Sequence, residues 1–175
     1  MSNLVNSLKS AISNVKKPYK KIIFACIGTD RSTGDSYGPI VGTMLKKRGY
    51  EVYGTLKSPM HAQNLEFVLK NIDMKNNLVI AIDASLGEQE DIGKIKIKNK
   101  SVRPGAGVNK NLPKCGDIGI IGIVNKDFGS SNCNFLKLQN TSLGGVVDLA
   151  ENTVNIICRA VNNVPDNVEE FILEK

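Results

Sequence analysis

The stretch Cys26-Ile27-Gly28-Thr29-Asp30-Arg31-Ser32-Thr33-Gly34-Asp35-Ser36-Tyr37-Gly38-Pro39 decides how the chain reads. It leaves the apolar, β-branched run Ile22–Ile27, opens into a polar loop rich in glycine, and arrives at Pro39, which suits the first turn of a helix. A second run, Leu78-Val79-Ile80-Ala81-Ile82-Asp83-Ala84, has the same shape: apolar residues and then an abrupt carboxylate. Nearly uninterrupted runs of this kind are central strands of a parallel sheet, because helices cover both faces. Asp83 is therefore expected at the carboxyl end of a buried strand, and Asp35 in the loop that leaves another. In open α/β sheets, ligands bind outside those ends, where strand order reverses.

Outward from these two runs, helical and strand periods alternate. Leu4, Val5, Leu8, Ile12 and Val15 share one helical face, which predicts an amphipathic helix over residues 2–16, stopped before Pro18. Lys21–Ile27 is the first strand. A helix follows from Pro39 to about Arg48, with Ile40, Val41, Met44 and Leu45 toward the sheet and Gly49 closing it. Glu51–Thr55 reads as a short strand, Leu56–His61 as a loop, and Leu65, Val68, Leu69 and Ile72 as one helical face. Asn77–Asp83 is the next strand. Gly93–Lys98 alternates, so Lys94, Lys96 and Lys98 would guard a sheet edge. Ser101–Lys114 reads as a loop, Asp117–Val124 as a buried strand, and Asn125–Thr141 as polar and irregular. Val146, Val147, Ala150, Val154, Ile157, Cys158 and Val161 define a long C-terminal helix. The βαβαβ start predicts a doubly wound α/β sheet in a single domain of 175 residues, with its core over residues 20–162.

Composition narrows the function classes. The chain is 41% hydrophobic and 23% charged, with no apolar run near the ~20 residues of a membrane helix. Residues 1–17 lack the continuous apolar core of a signal peptide, which points to the cytoplasm. The four cysteines form no C-x-x-C pair and read as reduced thiols. Cys26 is expected inside a strand. Cys115 and Cys133 are expected in loops, with no histidine nearby in sequence to activate either. Because His61 is the single histidine, a Ser-His-Asp triad would have to use it, and a multi-histidine metal cage is excluded within one chain. The net charge of +6 gathers in Lys16–Lys21, Lys46–Arg48 and Lys94–Lys100. Such clusters are either a solvated surface or an attraction for an acidic partner. No zinc-finger, helix-turn-helix or aromatic RNA-binding motif accompanies them, so nucleic acid is not an expected partner.

The glycine loop is neither G-x-G-x-x-G nor a P-loop, since no Lys-Ser/Thr follows Gly34, and Asp35 would repel a phosphate. No nucleotide cofactor is expected. Asp35 and Asp83 admit three readings. Carboxylates held near one another share a proton, so one can act as general base on a water while the other polarises a carbonyl, which is peptide hydrolysis without a metal. Both could instead bind a divalent cation. In the plainest reading, Asp35 caps the helix that begins at Pro39 and Asp83 accepts loop amides. His61, in Ser58-Pro59-Met60-His61-Ala62-Gln63, opens a helix and either contacts substrate in the same cleft or is simply a loop histidine.

Gly28–Pro39 resembles the signature of the YyaC sporulation proteins of spore-forming Firmicutes, which are similar to the germination protease that degrades small acid-soluble spore proteins. The likeness runs over about residues 20–125 in four ordered blocks: Thr33–Pro39, Met60–Gln63, Val79–Ala84 and Val102–Val108. It implies a three-layer α/β/α, phosphorylase/hydrolase-like fold with a mostly parallel sheet. In the germination protease, the acidic residues of the first and third blocks are regarded as an aspartic-type catalytic pair, which the resemblance carries onto Asp35 and Asp83. Thr29, Asp30, Ser36, His61 and Arg103 would line the cleft. The implied activity is a sporulation-associated peptidase that needs no metal or other cofactor. The rival is a non-catalytic sporulation protein that binds a peptide or partner in the same cleft. Expected partners are a protein or peptide substrate, with acidic spore proteins as candidates, and a second copy of the chain; a membrane is not among them. A wider resemblance is to the hydrogenase maturation endopeptidases. These bind nickel through acidic residues matching Asp35 and Asp83 and through a histidine that follows a proline in a later loop. Here Pro104 is followed by Gly105 instead.

Overall fold

The computed structural model describes residues 1–105 and 112–161. Ala106, Gly107 and Val108 of the fourth matched block, and residue 162 at the end of the expected core, lie outside the described residues. Five strands form one sheet: β1 (Ile22–Cys26), β2 (Glu51–Tyr53), β3 (Leu78–Gly87), β4 (Ile95–Lys98) and β5 (Ile118–Lys126). Their order is β2-β1-β3-β5-β4, with β4 antiparallel and the other pairings parallel. The helices are α1 (Ser2–Ser13), α2 (Tyr37–Lys47), α3 (Leu65–Lys70), α4 (Ser131–Gln139) and α5 (Leu143–Val161).

Strand periodicity divides the core into two layers. Phe24 and Cys26 of β1, with Leu78, Ile80 and Ile82 of β3, pack against α1, α2 and α5. The alternate residues Ile23, Ala25, Val79 and Ala81 pack against α3 and the crossing of Val102 with Cys115. Both faces of β1 and β3 are thus covered, which is why their sequences are unbroken apolar runs. On the first face, Tyr37 is fully buried, its hydroxyl 2.7 Å from Thr153 Oγ1 on α5. Its ring lies so close to β5 that a Cβ at Gly122 would fall 2.6 Å from Tyr37 Cζ.

Several boundaries differ from the expectation. The first helix ends at Ser13 rather than at residue 16, and the second begins at Tyr37, preceded by a 3₁₀ turn over Gly34–Ser36. β3 continues four residues past Asp83, because Ala84, Ser85, Leu86 and Gly87 go on pairing with β5 through a bulge after Ser85. Asp83 is therefore inside a strand, not at its end. The segment read as irregular contains α4. Its helical period is hidden because Phe135 and Leu136 are 48% and 57% exposed, while the buried face is Asn134 and Leu138. Asn134 anchors the helix start by accepting from Phe128 N at 2.9 Å and donating to Asp127 Oδ1 at 2.9 Å. Cys115, expected in a loop, lies outside the named strands but is 1% exposed, held where its backbone pairs with Val102.

Candidate functional site

Strand order reverses between β1 and β3: β1 leads outward to β2, while β3 leads the other way to β5 and β4. The last ladder bond between them runs from Ile27 N to Ile82 O at 2.7 Å. Beyond it β1 turns away and β3 continues, so Asp83 is the first β3 residue past the point where its neighbour departs. By alternation it shares the face of Val79 and Ala81.

The chain leaves β1 through a loop folded tightly on itself. Gly28 N donates to Met60 O at 2.9 Å, and Thr29 N donates to Asp35 O at 3.1 Å. Gly28 has a φ of 145°, and a Cβ there would stand 1.9 Å from the Asp35 carbonyl oxygen. A Cβ at Gly38 would stand 2.0 Å from Ile27 O, so α2 can start against the end of β1 only because glycine occupies that position. Together the two glycines bring Asp35 back beside the strand it left.

Asp35 and Asp83 both line two cavities, one of about 640 Å³ and the other of about 420 Å³, and so stand on the wall common to both. Burial raises the Asp83 carboxyl well above the ordinary carboxylate range, and the negative charge of Asp35 raises it further. The Ala84 N–H bonded to Asp83 Oδ1 at 3.0 Å and the positive charge of Lys98 oppose the rise without cancelling it. Asp83 therefore tends to hold its proton. Ser36, not Asp35, occupies the cap position of α2, and no side-chain cap bond is made there.

The other candidate residues divide. Thr29 and His61 line the smaller cavity and Arg103 the larger. Thr29 Oγ1 accepts from both Arg31 N at 3.3 Å and Arg31 Nε at 3.4 Å. His61 Nδ1 accepts from Gln63 N at 3.3 Å, which places the proton of the neutral ring on Nε2. Asp30 is exposed and lines neither cavity. Ser36 lines neither; it is 5% exposed, and its hydroxyl is spent on Thr33 O at 2.6 Å. The sequence reading did not single out Ser32, whose hydroxyl lies beside the smaller cavity, buried and without a hydrogen-bond partner among the described residues. Nor did it single out Lys98, Lys100 and Lys114 on the larger cavity.

The thiols offer no second chemistry near the pair. Burial pushes Cys115 up to about 12, with Asp83 and then Asp117 adding to the shift, and burial likewise raises Cys26, so both stay protonated. Among the described residues, no three His, Cys, Asp or Glu side chains converge to hold a metal. Two carboxylates with Gly105 after Pro104 do not make up the nickel donor set implied by the wider resemblance.

The match of residues 1–156 to the DUF1256 family, described as a protein of unknown function, settles kinship. The chain belongs to that family. The uncharacterized protein YyaC of Bacillus subtilis (strain 168) is 46% identical over 136 residues, covering 75% of this chain and 65% of that relative's own length. The resemblance read from the four blocks is thus borne out. Among solved structures, the [NiFe] hydrogenase maturation protease HycI from Thermococcus kodakarensis KOD1 superposes with a TM-score of 0.59 at 19% identity. The match covers 90% of this chain and 99% of HycI. This DUF1256 member therefore has the α/β fold of those proteases, as expected. No helix among its described residues is long and apolar enough to cross a membrane.

Proposed function

We propose that the protein is a peptidase of the germination-protease kind, acting in the cytoplasm of a sporulating cell with Asp35 and Asp83 as its acid–base pair. The observation that carries this reading is the position of the two carboxylates on a wall shared by two cavities, one carboxyl being biased toward its protonated form. A peptide lying across that wall would put its scissile bond over the pair and a flanking side chain in each cavity. Asp83 would donate its proton toward the carbonyl oxygen while Asp35 takes a proton from the attacking water. When the C–N bond of the tetrahedral intermediate breaks, Asp35 would pass its proton to the leaving amine and Asp83 would recover its own. His61 Nε2 and the Ser32 hydroxyl, which has no hydrogen-bond partner among the described residues, would hydrogen-bond the peptide backbone in the smaller cavity.

The test is incubation of purified protein with small acid-soluble spore proteins, followed by mass spectrometry of the products. Discrete fragments that fail to appear with Asp83→Asn would support the reading. Intact substrate recovered as a complex with the protein would favour a binding role for the same cleft and end the peptidase assignment.

A further inference from the structure

The end of β3 offers backbone groups as well as a carboxylate. Successive residues of a strand direct their N–H and C=O to opposite neighbours. Ile82 faces β1, because its carbonyl accepts the last ladder bond from Ile27 N at 2.7 Å. Gly87 faces β5, because its carbonyl accepts from Asp127 N at 2.8 Å. The bulge after Ser85 does not upset this alternation, since the extra residue lies in β5: Ser85 stands opposite Ile123 and Leu86 opposite Asn125. Asp83 and Ser85 therefore turn their backbone groups to β5, and Ala84 and Leu86 turn theirs toward the track that β1 has left.

Ala84 and Leu86 each bring an N–H and a C=O to that track, and the strand's own side chains occupy one group of each. Asp83 Oδ1 accepts from Ala84 N at 3.0 Å, and Ser85 Oγ donates to Leu86 O at 2.9 Å. The Ala84 carbonyl and the Leu86 N–H remain, and among the described residues no hydrogen bond reaches either. Leu86 is 9% exposed, so its N–H gains little from water and calls for a partner. Yet the edge is not packed shut. Ala84, Ser85 and Leu86 all line the larger cavity, together with Asp35, Asp83 and Leu138. Their side chains alternate between the two faces of the sheet, so a cavity that touches three in a row runs along an edge of the strand. β5 fills the other edge, which leaves the β1 side.

The spacing of the two open groups sets a direction. In a parallel pair, a residue donates to the carbonyl just before its opposite number and accepts from the N–H just after it. A residue opposite Ser85 meets that requirement, its N–H on Ala84 O and its C=O on Leu86 N. An antiparallel partner exchanges both bonds with a single residue, and Ala84 and Leu86 each have one group already taken. We propose that this edge binds the main chain of an extended substrate peptide as an added parallel strand on the track of β1, one peptide residue bonding to Ala84 O and Leu86 N. Main-chain pairing of this kind holds a peptide whatever its side chains. The register rests on the peptidase reading: the peptide runs from Asp83 toward Gly87, so the paired residue lies about two residues to the C-terminal side of the reacting bond. The pairing itself concerns binding and stands apart from that reading.

The probes are overlapping synthetic dodecapeptides spanning a small acid-soluble spore protein, with binding followed by fluorescence anisotropy on wild type and on Asp35→Asn, which keeps the edge and lacks the base. The tightest binder is remade with each amide replaced in turn by an ester, which removes one N–H donor and keeps the chain length. The expected result is one position at which the ester weakens binding by ~2–10-fold, the worth of a single main-chain bond, with both adjacent positions unaffected because their N–H groups point away from β3. Mass spectrometry of the wild-type digest should place that position on the C-terminal side of the cut. Amide hydrogen exchange read by NMR gives a second measure: Leu86 should exchange fast without peptide and slow by ~tenfold or more with it, whereas Ser85, turned to β5, is slow in both. A nitroxide on the peptide's C-terminus should broaden the amides near Gly87; broadening there from an N-terminal nitroxide instead would overturn the parallel direction. Ester sensitivity without alternation, or Leu86 exchange unchanged by a bound peptide, would overturn the added strand and leave the peptidase reading standing. The expected pattern with no cleavage by wild type would support the added strand and end the peptidase reading. Failure of every dodecapeptide to bind would overturn the proposal.

Discussion

Replacing Asp83 with Asn separates the energetic role of this residue from its chemical one. The change keeps the side chain's shape, and Oδ1 can still accept the Ala84 N–H now bonded at 3.0 Å. It removes the charge that burial and Asp35 both disfavour. Because the folded carboxyl titrates above its unfolded value of 3.8, the native state binds more protons than the unfolded state between those two points. Stability of the wild type should therefore fall as pH rises through that window, by about 1.4 kcal/mol per pH unit from this one group, and then level off once both states are ionised. The Asn variant lacks this slope, so it should match the wild type in acid and exceed it near neutrality. For a chain of this size, each kcal/mol gained is about 2–4 °C in melting temperature. The assay is urea unfolding from about pH 4 to about pH 8, with the m-value checked for constancy so that only the midpoint carries the effect. Peptide hydrolysis by the same variant should fall by ~10²–10⁴-fold, the loss expected of a general acid. A variant with the same pH slope as wild type and no gain at neutrality would refute the picture of a desolvated, proton-holding Asp83.

Asp35→Asn should lower the Asp83 titration midpoint without returning it to the ordinary range, because burial is the larger cause and Asp35 the second; carbon-detected NMR titration of the Asp83 carboxyl reads this, and full normalisation would show that charge dominates instead. Gly28→Ala should destabilise the protein by at least the ~1–3 kcal/mol of a strained backbone position, since φ is 145° and the new methyl would meet the Asp35 carbonyl oxygen; a near-neutral urea midpoint would refute the requirement for glycine at this position.

The sheet was legible where burial leaves a chemical trace. Ile22–Ile27 and Leu78–Ile82 face helices or packed loops on both sides, and no polar residue survives there, so the sequence itself shows two central parallel strands. The continuation of β3 through Ala84 and Ser85 was not legible. Those residues are small or polar, and what keeps them extended is pairing with β5, a strand about forty residues away whose register no local pattern reveals. α4 was hidden for a related reason. A helix announces itself through an apolar stripe, and this one is fixed largely by the amide of Asn134, leaving Phe135 and Leu136 outside.

The same distinction governs the site. A carboxylate at the end of an apolar run contradicts its surroundings, so Asp83 could be singled out from a single sequence, and the glycine spacing drew attention to Asp35. Ser36 and Asp30 share that loop, and nothing in their spacing separates a hydroxyl bonded to Thr33 O, or a carboxylate turned to solvent, from one facing a cavity. Lys98 shows the limit most clearly. Alternation over residues 94–98 places Lys94, just before β4, and Lys96 and Lys98 within it on one face and makes them equivalent as guards of an edge strand. They cease to be equivalent only because a 3₁₀ turn at Gln89–Asp91 brings one carboxylate within reach of the first two. The third lysine is left to join Lys100, Arg103 and Lys114 at the cavity. Strand period tells which side of a sheet a residue faces, but the charge it meets there is set by tertiary neighbours. The electrostatic character of the cavity is therefore set by Lys98, Lys100, Arg103 and Lys114, the cations that line it, and not by Lys94 and Lys96, which Asp91 holds away from it.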